Sequence, residues 1–305
     1  MKFYFAPMEG ITGYIYRNAF EQHFGGISKY FTPFIAPDIN SYLNKKEKRD
    51  VLSENNIVMP VPQILTSKAD NFNGSAKALE RLGYREVNLN LGCPAATVVT
   101  KNKGAGMLKD TEYLDEFLYR IFENATVEIS IKTRLGMESH DEFYELLDIF
   151  NKYELSELII HPRVREDYYN GSPDLDMYEY AVKNSRNKVV YNGDIHSVED
   201  YENFMNRFPD TDTLMLGRGL LKNPGLINRI TGMDPEDERE EIGKFMAQVK
   251  DDYYEIMHDE RNVLFKLKEL WLYLSPHFEN GDKYWKKIKK SKNFREYTSV
   301  FDTIF

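Results

Sequence analysis

A single cysteine in 305 residues excludes a disulfide framework and any cysteine-built zinc site, and it suits a reducing compartment. Long apolar runs are also missing. None approaches the roughly 20 residues that a membrane helix needs. The apolar opening MKFYFAP is cut off by Glu9 and Gly10, too early for a signal peptide. Neither Gly-x-x-x-x-Gly-Lys-Ser/Thr nor His-Glu-x-x-His occurs, and no Gly-x-Gly-x-x-Gly follows the first apolar run. These absences argue against a P-loop nucleotidase, a zinc hydrolase and a dinucleotide-binding doubly wound sheet. The expectation is a cytoplasmic protein with no metal and no membrane partner.

What the sequence does have is rhythm. Over the first 230 residues, short β-branched or apolar runs alternate with helical patterns, the mark of βαβ units and a parallel sheet. Strands are expected at residues 3–6, 30–35, 61–65, 87–91, 127–132, 158–161, 188–191 and 213–216, with helices at 68–82, 111–123, 141–153 and 198–208. The charged connection around 44–55 is the least regular. Eight strands in this length predict a (β/α)8 TIM barrel over 1–232, with a small C-terminal helical bundle over 233–305.

Barrel enzymes carry their chemistry at the C-terminal ends of the strands. Those ends read Pro7-Met8-Glu9-Gly10, Thr32, Gln63, Asn90 with Cys93, Lys132 with Arg134, His161 with Arg163, Asn192-Gly193-Asp194 and Gly217-Arg218-Gly219. Each alone has a bland reading: a snorkelling lysine, a hydrogen-bonded core histidine, a surface ion pair, an inert buried cysteine. Their shared position on one rim argues for a site. The last two ends occupy the places where this architecture builds a phosphate cradle, with glycine admitting close backbone approach and arginine supplying a two-pronged charge partner. Without a P-loop, that phosphate belongs to a cofactor or a sugar.

The net charge is −9, yet its distribution is uneven. Residues 236–260 hold ten acidic and three basic side chains, whereas 261–295 hold ten basic and three acidic. Acidic residues 236–241 suit the first turn of a helix. Leu264, Leu267, Leu270, Trp271 and Leu274 fall on one helical face, Ser275-Pro276 stops it, and short helices fit 282–290 and 294–305. The lysines around Trp285 form either a solvated helix face or a polyanion-binding surface.

Taken together, the pieces resemble the tRNA-dihydrouridine synthase family of flavoenzymes. The resemblance rests on APMEGIT (6–12), Gln63-Ile64, NLNLGCP (88–94), GAGML (104–108), KTRLG (132–136), IHPR (160–163), YNGD (191–194) and LGRG (216–219), which span nearly the whole barrel in the family's order. It implies FMN at the barrel mouth, with Pro7, Met8 and Glu9 along the ring and Gln63 and Lys132 on its polar edge. His161 would sit near the ring, and Asn192, Gly193, Asp194, Gly217 and Arg218 would hold the ribityl chain and phosphate. Cys93 matches the family's proton donor, and NADPH would be the electron source. The implied partner is tRNA, met at the rim by Asn90, Arg134 and Arg163 and on the C-terminal bundle by Lys286, Lys287, Lys289 and Lys290. The loop after Cys93 reads TKNKGAG where the family more often has three glycines, and Pro162 follows His161 where glycine or alanine is common. A flavin barrel acting on a free pyrimidine such as dihydroorotate is the alternative, and it leaves the basic tail without a task.

Overall fold

All eight expected strands form in the computed structural model, which describes residues 1–38, 41–233 and 237–305. They are β1 (Lys2–Phe5), β2 (Lys29–Tyr30), β3 (Gln63–Ile64), β4 (Glu86–Leu91), β5 (Glu128–Arg134), β6 (Leu158–His161), β7 (Val189–Tyr191) and β8 (Thr213–Leu216). All pair in parallel, in the order β2-β1-β8-β7-β6-β5-β4-β3. Isolated parallel bridges from Phe31 to Val61 and from Ile35 to Ile64 close the sheet on itself between β2 and β3. The seam is intermittent because Pro33, Pro60 and Pro62 lack the N–H that a continuous ladder needs. That is why the runs at 30–35 and 61–65 shorten to two-residue strands.

The crossovers carry helices α1 (Tyr14–His23), α2 (Lys45–Val51), α3 (Ala69–Glu80), α4 (Ala96–Val99), α5 (Thr111–Glu123), α6 (Glu142–Phe150), α7 (Leu175–Asn184) and α8 (Val198–Arg207). Beyond β8 follow α9 (Arg218–Lys222) and α10 (Leu226–Ile230). The stretch 44–55, read from sequence as irregular, contains α2. Its start is a capping box: Asn44 accepts from the Glu47 N–H while the Glu47 carboxylate accepts from the Asn44 N–H. Local capping thus outweighs the lack of apolar periodicity. Among the described residues, no helix is long and apolar enough to cross a membrane, and no cluster of His, Cys, Asp and Glu could hold a metal ion.

The C-terminal helices are α11 (Glu238–Met257), α12 (Glu260–Leu274), α13 (Gly281–Ile288) and α14 (Phe294–Phe301), with a 3-10 turn at Ser275–His277 where the proline was expected to stop α12. The boundary drawn at 232/233 adjoins Asp234, Pro235 and Glu236, which lie outside the described residues. The helices beyond it share one hydrophobic cluster with β1 and α1. Phe245 of α11 meets Tyr16 and Phe20 of α1, and Phe24 just past its end, edge-on. Lys266 of α12 donates to the Gly10 carbonyl at 2.8 Å, which ties the bundle to the loop after β1.

Trp271 is fully buried at the centre of the bundle, and its indole N–H reaches the Tyr297 hydroxyl at 3.1 Å. Trp271→Ala is expected to cost about 3–5 kcal/mol through cavity formation and the orphaned hydroxyl. Chemical denaturation measures this; a loss below about 1 kcal/mol would show that α12 docks loosely.

Candidate active site at the barrel mouth

Parallel strands all end on the same side of a barrel, so the eight polar termini meet in one place. Two cavities open there and share Pro7, Met8, Gly92, Lys132 and Tyr169. One continues to Gln63, Asn90 and Cys93. The other continues to His161, Asn192, Gly193, Asp194, Gly217 and Arg218. The residues singled out on the rim are therefore brought together, Glu9 and Arg134 among them, while Arg163 lies behind the wall, paired with Asp194.

The first group is organised by side-chain amides. Asn90 Oδ1 accepts the backbone N–H groups of both Gly92, at 3.0 Å, and Cys93, at 2.9 Å. Its Nδ2 donates to Gln63 Oε1 at 2.7 Å, and Gln63 Nε2 donates to Asn88 Oδ1 at 2.7 Å. Asn88 Nδ2 ends the chain on Ser130 Oγ at 3.0 Å. Gln63, Asn88 and Ser130 stand side by side in register on β3, β4 and β5. Asn88 and Ser130 are fully buried and were not foreseen as site residues. Only the first asparagine of the NLNLGCP box hinted at them.

Cys93 is half-buried, and its carbonyl accepts from Ala105 N–H at 3.1 Å, so the thiol sits on a pinned turn. Burial raises its pKa; the Ala95 N–H and the charges of Arg134 and Lys132 only partly offset this. The thiol is protonated at neutral pH and competent to give a proton. Lys132 has no hydrogen-bond or ion-pair partner among the described residues. Burial, and then Arg134, lowers its pKa to about 7. His161 is pushed well below its ordinary value by burial and by Arg134, Lys132 and Arg163. It is neutral, with Nε2 accepting from Arg163 Nη1 at 3.0 Å.

At the other end, a β-carbon on Gly193 would collide with the Tyr191 hydroxyl, and one on Gly219 with the Ile195 carbonyl, so only glycine fits either turn. Asp194 does not face an open cradle alone. Its carboxylate takes Arg218 at 2.5 Å and Arg163 at 2.6 Å. Although burial pushes the acid upward, hydrogen bonds from His196 and Arg163 and the charges of Arg163 and Arg218 hold its pKa well below the carboxylate range.

Arg134 lines the cavity that runs to His161 and Asp194, and Arg163 reaches that cavity through Asp194. They are 1% and 0% exposed. Arg134 donates to the carbonyls of Gly92, Val164 and Tyr168 at 2.7–2.9 Å. Arg163 donates to those of Asn170 and Gly171 at 3.1 and 2.5 Å. Buried guanidinium groups need such partners, and here they brace the loop after β6. Glu9 lines the Cys93 cavity, and its exposed carboxylate lies 3.5 Å from the Lys46 ammonium. The braced loop presents Tyr169, a residue that sequence reasoning missed because nothing in its local pattern marks it. Its ring stacks on His161 at 6.1 Å and lies 4.4 Å from the Arg218 guanidinium.

Lys286, Lys287, Lys289 and Lys290 are all exposed on and just past α13. Lys287 and Lys290 line a groove with Asn293, Arg295 and Ser299. Trp285 is partly buried against the core cluster, with the Lys289 ammonium 5.9 Å from its ring.

An eight-stranded barrel with a protonated thiol, an unpartnered lysine and a glycine-arginine turn at its C-terminal mouth has the build of a TIM-barrel enzyme. The chain belongs to the dihydrouridine synthase family, whose profile matches residues 4–303. It is 24% identical over 237 residues to the tRNA-dihydrouridine synthase B of Pasteurella multocida, covering 77% of this chain and 70% of that one. A probable tRNA-dihydrouridine synthase of Staphylococcus aureus is 27% identical over 231 residues, covering 73% and 69%. Among solved structures, the fold is similar to the old yellow enzyme of Trypanosoma cruzi, with TM-score 0.55 and 10% identity over 78% of this chain and 90% of that one. It is also similar to morphinone reductase, with TM-score 0.54 and 10% identity over 78% and 87%.

The half-buried Lys132 makes a prediction that needs no ligand. Its folded pKa near 7 lies below the ordinary 10.5, so between those values the unfolded chain binds more protons and stability rises with pH, by at most about 1.4 kcal/mol per pH unit. Below pH 7 the penalty is complete. Lys132→Met is expected to stabilise the ligand-free protein near pH 7 and to flatten its rise towards pH 10, as read by urea denaturation across pH. Parallel curves for the two proteins would contradict this.

Proposed function

We propose that this chain reduces the 5,6 double bond of particular uridines in tRNA to dihydrouridine, with FMN as its cofactor, NADPH as electron donor and Cys93 as proton donor. The observation that carries the reading is the placement of Cys93 in one cavity with Gln63, Asn90 and Lys132, continuous with the glycine-arginine turns of β7 and β8. Family membership supplies the substrate class: the two relatives above carry tRNA-dihydrouridine synthase in their names.

The residues present fit a flavin phosphate cofactor. Lys132 is an unpartnered, semi-buried ammonium, the group expected to meet an electron-rich ring edge. The buried His196 Nδ1 also lacks a partner, in the cavity that holds Gly193, Gly217 and Arg218. Bound FMN supplies the hydride for carbon 6 of the uracil. The chain supplies the rest. Gln63 and Lys132 would orient the ring edge, and Pro7, Met8 and Glu9 would line its side. His161 is neutral and stacked with Tyr169, and Asn192, Gly193, Asp194, Gly217 and Arg218 would hold the ribityl chain and phosphate.

Carbon 5 needs a proton, and the burial-raised thiol of Cys93 keeps one available. Arg134 and Arg163 act on the substrate through the loop they brace. The target base lies within folded RNA and must be extruded into the mouth. The exposed lysines of α13 fit the backbone grip that extrusion requires, and the cytoplasm is where such a substrate is found.

Cys93→Ala is expected to leave FMN binding and NADPH-driven reduction nearly intact while slowing reoxidation by tRNA by a factor of about 10²–10⁴. Rapid mixing of each half-reaction decides it; equal slowing of both would make Cys93 structural. Reversing charge at Lys286, Lys287, Lys289 and Lys290 is expected to weaken tRNA binding and to reduce the log–log salt slope by roughly 0.7–0.9 for each phosphate that the variant no longer neutralises. An unchanged affinity and slope across a salt series would move the tRNA grip to the barrel rim.

A further inference from the structure

The loop after β6 is fastened on two sides by different chemistry. On the inside, Arg134 donates to the Tyr168 carbonyl at 2.7 Å, and Arg163 to those of Asn170 and Gly171 at 3.1 and 2.5 Å. On the outside, the half-buried His140 of the loop after β5 reaches it with both ring nitrogens. Nδ1 lies 2.6 Å from Asp174 Oδ2, and Nε2 lies 3.3 Å from Asp167 Oδ2. Ionised carboxylates only accept, so both nitrogens carry a proton and the ring is an imidazolium. Asp167 also accepts the Val164 N–H at 2.9 Å, and Asp174 caps α7 through the Met177 N–H at 2.9 Å. A guanidinium keeps its charge across the working pH range, whereas an imidazole does not. Tyr169, two residues past Asp167, lines both cavities of the mouth.

We propose that His140 is a positioning residue, a proton-dependent clasp that holds the Tyr169 loop in the mouth and frees its outer edge when the ring is neutral. A neutral ring has one N–H and one lone pair. The shorter contact keeps the proton on Nδ1, so the Nε2 lone pair comes to face the Asp167 carboxylate and that tie is lost. Burial works against the charged ring, but the hydrogen bonds and charges of Asp174 and Asp167 outweigh it and raise its pKa above the ordinary 6.5. The clasp is therefore complete below 6.5 and is lost as pH rises through the higher folded value. The other charges of the two loops are engaged elsewhere. The Glu142 carboxylate of α6 accepts the N–H groups of Met137, Glu138 and Ser139. Arg165 lies 3.8 Å from Glu166 and 4.9 Å from the Tyr168 ring. Glu138 and Asp141, which flank His140 in sequence, are exposed. Backbone bonds from Arg165 N–H to Gly136 and from Glu166 N–H to Met137 keep the loops together when the clasp opens.

The test compares wild type with His140→Gln, whose amide does not titrate, from pH 5.5 to pH 9. Two readouts are taken on the FMN-loaded protein: hydrogen exchange of the 163–174 backbone amides, corrected for the intrinsic rate, and FMN release followed by its fluorescence. At low pH the variant is expected to exchange and to release FMN about two- to fivefold faster than wild type, the size of a partly exposed ion pair. As pH rises the two proteins are expected to converge, because wild type then loses the same tie. Asp167→Asn removes one of the two charges that favour the imidazolium and is expected to bring the convergence to lower pH. A gap that stays constant with pH makes His140 a mere spacer and overturns the inference. Identical curves overturn it as well, as does converging exchange with FMN release unchanged. The FMN readout rests on the reading of the mouth as a flavin site, and the exchange readout does not. Wild type that binds no FMN at any pH would overturn that reading instead, with exchange of the ligand-free protein still deciding the clasp.

Discussion

Two backbone N–H groups converging on the Asn90 side-chain oxygen set the geometry of the whole mouth. A strand must stop hydrogen-bonding in its ladder before its chain can turn, and the turn's donors then need another acceptor. Asn90, the penultimate residue of β4, is that acceptor, so the turn bearing Cys93 is fixed relative to the sheet. Because Asn90 is held in turn through Gln63 and Asn88 across β3, β4 and β5, the thiol inherits the rigidity of the barrel. A site built on strands rather than loops keeps the tolerance that proton transfer needs.

Charge is managed by the same economy of partners. Four cationic side chains, Lys132, Arg134, Arg163 and Arg218, crowd the cavity that runs to His161 and Asp194. Two share the single carboxylate of Asp194, and Arg134 is satisfied by carbonyls. Lys132 alone of the four has no partner among the described residues, and burial and then its neighbour Arg134 depress its basicity. The result is a rim that favours an anion or an electron-rich ring, within a chain that carries net negative charge.

Much of this was legible in the sequence. Strand β6 at 158–161, strand β8 at 213–216 and helix α5 at 111–123 are found where apolar runs and turn chemistry placed them, because buried parallel strands are continuous apolar runs. Cys93, Gln63, Asn90, Lys132 and His161 could be put on one rim because strand ends in a barrel share a face. What was hidden depends on three-dimensional partners. Nothing local distinguishes Arg134 and Arg163, which brace a loop from below, from arginines that reach out to substrate. Tyr169 enters the site only because that loop folds back over it. Asn88 and Ser130 read as ordinary strand residues until register lines them up with Gln63. Helix α2 was obscured by its charge, and its capping box was the available signal.

The central claim is that this barrel delivers a hydride and the Cys93 proton to uracil within tRNA. Its most direct test incubates the FMN-loaded protein with NADPH and tRNA from cells lacking the protein, and maps dihydrouridine by mass. The account predicts a gain of two hydrogens at a small number of discrete uridines and no reduction of free uridine or orotate. Turnover of a free pyrimidine with tRNA left unchanged would contradict it.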